Sequence, residues 1–238
     1  MERNFKIFVD FDGTITKTDV GEEMFLRFGN PAKANEIIND WIKGDITAAQ
    51  CWQKLCATIE CLELNDFDRF LNEMNIDESF KEFTELCKMN GMEMHILSDG
   101  LDYYIGKILD RENLSHINLY SNKVEFENGK LIPVFPHPDE ECIKCANCKR
   151  NHIINNSSDE DITVYIGDGW SDTCAAQYCD FIFAKNSLLK YCESNRISYF
   201  PFKNFSDVSL RMKEIISKKR IKKRHQAELK RREVYLQG

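Results

Sequence analysis

The 238-residue sequence has no apolar run approaching the roughly 20 residues that cross a bilayer. Its opening, Met1-Glu2-Arg3-Asn4, lacks a signal-peptide pattern and leads directly into an apolar segment. Internal repeats and low-complexity linkers are missing too. These absences argue against a helical membrane protein or a repeat array, and the expectation is a cytoplasmic protein with no membrane partner. Net positive charge is concentrated in one segment. The chain carries −7 overall, yet residues 217–233 hold nine Lys/Arg and two acids, net +7, which leaves −14 on the remainder. An acidic body repels a duplex, so no nucleic-acid partner is expected. The basic run Lys218–His225 reads as a solvated helix end or tail. Without a secretory pattern, the ten cysteines are expected as reduced thiols or metal ligands, not disulfides.

At 42% hydrophobic content the chain has ample material for a core plus a smaller accessory domain. Residues 5–9 read as a buried strand running into Asp10-Phe11-Asp12-Gly13-Thr14. Two acids at the end of such a strand need a metal, a partner or a substrate to compensate them, unless they form an ordinary acidic turn. Val164-Tyr165-Ile166-Gly167-Asp168-Gly169-Trp170-Ser171-Asp172 repeats the pattern. Met94-His95-Ile96-Leu97-Ser98-Asp99-Gly100 gives a third strand end, and Lys149 comes later as a cation. In a parallel α/β sheet, ligands sit beyond the carboxyl ends of the strands.

Between the first and third of these segments, residues 18–75 show helical spacing, read as three or four helices broken at Gly29-Asn30-Pro31 and Lys43-Gly44-Asp45. Asp45 or Thr47 caps the helix after the second break. From residue 78 strands and helices alternate: helices near 78–90, 101–110 and from 149, strands at 93–97, 162–166 and 181–184, a helix over 171–178 and a long final helix. Val124–Leu131 reads as a hairpin through Asn128-Gly129. Residues 133–148 form a loop with three prolines and three cysteines. The expected class is α/β, a Rossmann-like, doubly wound, mostly parallel sheet.

Taken together and in this order, DFDGT at 10–14, SDG at 98–100, Lys149 and GDGxSD at 167–172 resemble the haloacid dehalogenase superfamily, over nearly the whole chain. The long helical interval after the first strand resembles the inserted α-helical cap of its phosphoserine-phosphatase-like branch (subfamily IB). That resemblance implies a core at 1–16 and 77–216, a cap at 17–76 and a basic tail at 217–238. The segment Cys142–Lys149 is similar to the methionine-salvage phosphatases, which act on 2-hydroxy-3-keto-5-methylthiopentenyl-1-phosphate. Phosphoserine, phosphocholine and pyridoxal phosphate are alternative substrates, and a non-catalytic phosphate-binding protein is an alternative class.

The resemblance implies a Mg²⁺-dependent phosphatase of a small phosphorylated metabolite. In it Asp10 is the nucleophile and forms an aspartyl-phosphate, and Asp12 is the acid and then the base. Mg²⁺ sits on Asp10, Asp168 and the carbonyl of Asp12. Ser98, Asp99 and Gly100 bind phosphate with Lys149, and Asp172 orients Lys149 or metal-bound water, or else caps the start of the next helix. Asp19 is either a cap acid facing substrate or a helix N-cap. Cys142, Cys145 and Cys148, with His137 or His152 as fourth ligand, have the spacing of a structural Zn²⁺ site, against the alternative of free thiols packing the loop. Oligomeric state is not indicated.

Overall fold

A computed structural model describes residues 3–139, 142 and 144–237. Of the segments read from sequence, Met1, Glu2, residues 140, 141 and 143 of the loop at 133–148, and Gly238 lie outside the described residues. The strands are β1 (Phe5–Val9), β2 (Glu93–Leu101), β3 (Asn118–Glu127), β4 (Lys130–Val134), β5 (Ile162–Gly167), β6 (Phe181–Ala184) and β7 (Phe200–Pro201). The helices are α1 (Val20–Phe28), α2 (Pro31–Lys43), α3 (Ala48–Cys56), α4 (Leu64–Glu73), α5 (Phe80–Met89), α6 (Asp102–Arg111), α7 (Lys149–Asn155), α8 (Asn186–Ser194), α9 (Phe205–Ser217) and α10 (His225–Gln237). Strand order is β4-β3-β2-β1-β5-β6-β7, the mostly parallel α/β sheet expected from sequence. No helix among the described residues is long and apolar enough to cross a membrane.

The chain divides into two compact units, one of Met1–Asp10, Ile76–Ile96 and Lys149–Gly238, the other of Phe11–Asn75 and Leu97–Cys148. In the first, β1 runs parallel to β2 and β5, with Val9 opposite both Ile96 and Ile166. Ile7, Phe8 and Val9 are fully buried, as an apolar run in the middle of a parallel sheet must be. Phe205 of α9 packs on Phe80 and Phe83 of α5, with ring centroids 4.7 and 5.4 Å apart. Such aromatic pairs add about 0.5–1.5 kcal/mol beyond the area they bury.

The second unit holds the four helices read at 18–75. Asn30 caps α2 with Pro31 at its first position, Gly44 ends it at φ +84°, and Thr47 with Gln50 forms a capping box for α3. The aromatic face of α4 meets Phe28, edge-on to Phe67 and Phe70 at 6.1 and 5.5 Å. β3 and β4 pair antiparallel through a two-residue turn, with Asn128 at φ +51° and Gly129 at φ +77°, the hairpin expected at that dipeptide.

Three expectations change. The single long final helix is three helices, α8, α9 and α10, with β7 between the first two. No α-helix forms over 171–178; the segment is a series of turns with one short helical turn at Ala175–Gln177. The side chain of Asp172 folds back to accept the amides of Asp168 and Gly169, both at 2.9 Å, which closes a tight loop in place of a first helical turn. The basic run 218–224 is not the end of a helix either. It links α9 to α10, and the helix after it is docked: Arg231 is fully buried, donates to the carbonyl of Tyr178 at 2.5 Å and to Thr163 Oγ1 at 3.1 Å, and pairs with Asp180 at 3.3 Å.

Arg231→Ala leaves the Asp180 carboxylate buried without its ion partner, and loss of about 3–5 kcal/mol of stability is expected in urea denaturation. A loss under about 1 kcal/mol means Asp180 is compensated from elsewhere.

Candidate active site

In the first unit, β1 and β5 deliver acids at their carboxyl ends. Asp10 comes directly after Val9, and its amide donates to the Ile166 carbonyl at 2.9 Å. Oxygens of Asp10, Asp168 and Asp172 lie within 4.8 Å of one another. Lys149, first residue of α7 and fully buried, extends its ammonium to Asp10 Oδ1 at 2.5 Å, Asp172 Oδ1 at 2.6 Å and Ser171 Oγ at 3.3 Å. The adjacent cation, Arg150, donates to Asn151 Oδ1 at 3.1 Å.

Asp172 is held on both oxygens. Besides Lys149, Oδ1 accepts Tyr165 Oη at 2.5 Å, while Oδ2 takes the two amides that close the loop. A methyl group on Gly167 would stand 2.5 Å from that Oδ2, so this position tolerates no side chain while Asp172 keeps its place. Asp168 is half-buried and receives Asn186 Nδ2 at 3.0 Å.

Three carboxylates cluster here, and two of them, Asp10 and Asp172, share one ammonium. Burial, then Asp172, pushes the Asp10 carboxyl well above its ordinary range, and Lys149 offsets only part of this. Burial also works against the Lys149 charge, but Asp10 and Asp172 overcome it and hold the ammonium protonated. Tyr165 stays a phenol because burial and Asp172 both oppose its ionisation. A hard divalent cation fits this donor set, which is all oxygen, of one sign and short of positive charge.

The second unit carries the other motif residues. Asp12 lies in the turn Phe11–Ile15, where Gly13 takes φ +68°. Its Oδ1 accepts the amide of Val20 at 3.1 Å, and its Oδ2 accepts Tyr104 Oη at 2.7 Å and Ser98 Oγ at 3.3 Å. Ser98, fully buried in β2, accepts the amide of Gly100 at 2.9 Å. A methyl on Gly100 would fall 1.9 Å from Tyr104 Oη and 2.6 Å from Asp12 Oδ2, so glycine is what lets phenol and carboxylate meet.

Asp99 directs Oδ1 to the amides of Ala146 and Asn147, at 2.7 and 2.8 Å. Asp19 is the N-cap of α1, accepting the Glu22 amide at 2.8 Å, which is the capping geometry of the two readings open from sequence. Cys142, Cys145 and Cys148 converge, with sulfurs within 4.8 Å of one another. Sequence reasoning missed Tyr104 and Tyr165. Both stand at positions that periodicity assigns to packing, and neither belongs to a motif; only the hydroxyl on a fully buried ring hinted at a polar partner.

The chain matches the family model for haloacid dehalogenase-like hydrolases over residues 7–177. It is 32% identical over 220 residues to a 2-hydroxy-3-keto-5-methylthiopentenyl-1-phosphate phosphatase of Bacillus mycoides strain KBAB4, covering 91% of this chain and 99% of the relative. A protein of the same name from Bacillus cereus strain ATCC 10987 is 30% identical over 219 residues, with the same coverage. Among solved structures, a phospho-aspartyl intermediate analogue of phosphoserine phosphatase superposes with a TM-score of 0.68 at 18% identity, covering 88% of this chain and 99% of the other.

A carboxyl whose folded pKa stands above its unfolded value of 3.8 removes stability as pH rises between the two, and the full penalty applies above the higher one. In chelator, Asp10→Asn is therefore expected to raise the thermal midpoint at pH 7, by about 2–4 °C per kcal/mol relieved, with the gain fading as pH falls toward 4. Scanning calorimetry across that range checks it; a lower midpoint at pH 7 would mean that the Lys149 pair outweighs burial.

Proposed function

From the premise that the chain belongs to the haloacid dehalogenase-like hydrolases and is a phosphatase of that family, we propose that it is a Mg²⁺-dependent phosphomonoesterase working through an aspartyl-phosphate. The observation that carries this is Lys149, bonded at once to Asp10 and Asp172 beside Asp168. An ammonium in that position holds the nucleophile in place and offers positive charge to the transferring phosphoryl group.

Asp10 attacks phosphorus in line, and Asp12 gives its proton to the departing oxygen. Asp12 then takes a proton from the water that hydrolyses the Asp10 acyl phosphate, which restores both groups. Tyr104 and Ser98 hold Asp12 Oδ2 for this exchange. Ser98, the amides near Asp99 and Gly100, and Lys149 are assigned to the phosphate oxygens, with the Asp99 carboxylate tying that turn to the loop after β4. Asp10, Asp168 and the Asp12 carbonyl would hold Mg²⁺, which supplies charge neutralisation for an anionic ester approaching three carboxylates. Asp172 keeps Lys149 directed at Asp10. Residues 17–76 are proposed as the cap that governs access of the ester, with Asp19 at its entrance, and 217–238 as an accessory tail.

For the ester itself we propose 2-hydroxy-3-keto-5-methylthiopentenyl-1-phosphate, on the strength of relatives at 30–32% identity that cover nearly the whole chain. Phosphoserine, phosphocholine and pyridoxal phosphate are the comparison substrates. Phosphate release with Mg²⁺ and with chelator is the test: metal-dependent release, greatest from the methionine-salvage ester and abolished in Asp10→Asn, is expected. Preference for another ester overturns the substrate assignment. Phosphate binding without release from any ester favours a non-catalytic phosphate-binding protein.

Tyr104→Phe removes one donor from Asp12 while keeping the ring. It is expected to lower kcat about tenfold, one hydrogen bond's worth of positioning, with little change in KM. Stopped assays at saturating ester measure it; an unchanged kcat removes Tyr104 from the reaction.

A further inference from the structure

The loop between β4 and α7 gathers three sulfurs that the phosphate chemistry leaves unused. Cys142 and Cys145 Sγ are 3.2 Å apart, and both lie within 4.8 Å of Cys148 Sγ. Thiolates at ~2.3 Å around one tetrahedral zinc stand roughly 3.8 Å from each other, close to this spacing. Cys145 and Cys148 are 3% and 1% exposed, and Cys142 is half-buried at the outer end.

The backbone that presents them is fixed at several points. Cys142 N–H donates to Asp139 Oδ1 at 2.9 Å, and Cys148 N–H to the His137 carbonyl at 3.0 Å. Trp41 Nε1 holds the Lys144 carbonyl at 3.1 Å. Asn147, fully buried, donates through Nδ2 to the carbonyls of Ser98 and Tyr120, at 2.8 and 2.9 Å. A disulfide would use two of the sulfurs and give the third no reason to converge. One thiophilic cation accounts for all three.

We infer that Cys142, Cys145 and Cys148 form a three-thiolate site for Zn²⁺, with the fourth position taken by solvent beside half-buried Cys142. No histidine or carboxylate of the described residues joins the three sulfurs. Each ligand forms a Zn–S bond as its thiol proton leaves to solvent, and no electron is transferred. The site serves position. The amides of Ala146 and Asn147, inside the ligand run, hold Asp99 at 2.7 and 2.8 Å, so a metal-locked loop fixes the Ser98-Asp99-Gly100 turn.

The test is metal content and spectroscopy on the full chain. After exhaustive dialysis one zinc per chain is expected, retained in Asp168→Asn, which disables the carboxylate cluster. Replacement by Co²⁺ should give a thiolate-to-cobalt charge-transfer band in the near ultraviolet, lost in Cys145→Ser and Cys148→Ser and kept in Cys61→Ser. Circular dichroism checks that the variants fold, and the wild-type spectrum stands without them. Absence of stoichiometric zinc together with absence of the cobalt band overturns the proposal. So does a thiol count in denaturant that falls two short, the signature of a Cys142–Cys145 disulfide.

Discussion

The Lys149 ammonium, buried between Asp10 and Asp172, is the contact on which the first unit's chemistry depends. A buried cation is tolerated only when its partners are charged and well placed, and two carboxylates at hydrogen-bonding distance meet that demand. Meeting it leaves the cluster with more negative than positive charge. The surroundings hold one acid of the pair more fully: Asp172 accepts Tyr165, Lys149 and two amides, while Asp10 accepts the ammonium at the strand end. An all-oxygen donor set with excess negative charge suits a hard divalent cation.

Asp12 illustrates the complementary arrangement. Its carboxylate accepts two hydroxyls and an amide, where Asp10 accepts the Lys149 ammonium. Two acids separated by a single residue along the chain thus have different hydrogen-bond partners. Unequal environments are the condition under which paired carboxylates divide the roles of nucleophile and proton carrier. Around them, β1 ends at Val9 and the turn at Phe11–Ile15 passes through Gly13 at φ +68°.

Most of the sheet was legible in the sequence because parallel strands buried on both faces appear as uninterrupted apolar runs, and three of them, β1, β2 and β5, run into glycine and acid. The helices over 18–75 were legible through their stops, Gly29-Asn30-Pro31 and Gly44, and the hairpin through Asn128-Gly129. What sequence could not show was where side chains turn back on their own backbone. Asp172 looked like the start of a helix, yet its carboxylate claims the amides that precede it. Asp99 sat within a phosphate-binding motif, yet its carboxylate reaches the loop at Ala146 and Asn147. Tyr104 and Tyr165 carry hydroxyls on rings whose spacing signals core, and spacing is blind to the hydroxyl. The basic stretch after Ser217 was read by its charge density, which concealed that Arg231, farther along, is an internal residue.

Arg231 also imposes an order in time. Asp180, Thr163 and the Tyr178 carbonyl lie some fifty to seventy residues earlier in the chain than the guanidinium that they bind. During synthesis, β5 and β6 emerge well before that guanidinium exists, so the carboxylate between them lacks its ion partner while the sheet assembles. Completion of the β5–β6 region is thereby deferred until α10 has left the ribosome. A nascent chain stalled short of residue 231 would leave Asp180 without its guanidinium, although every residue assigned to the phosphate chemistry had already been made.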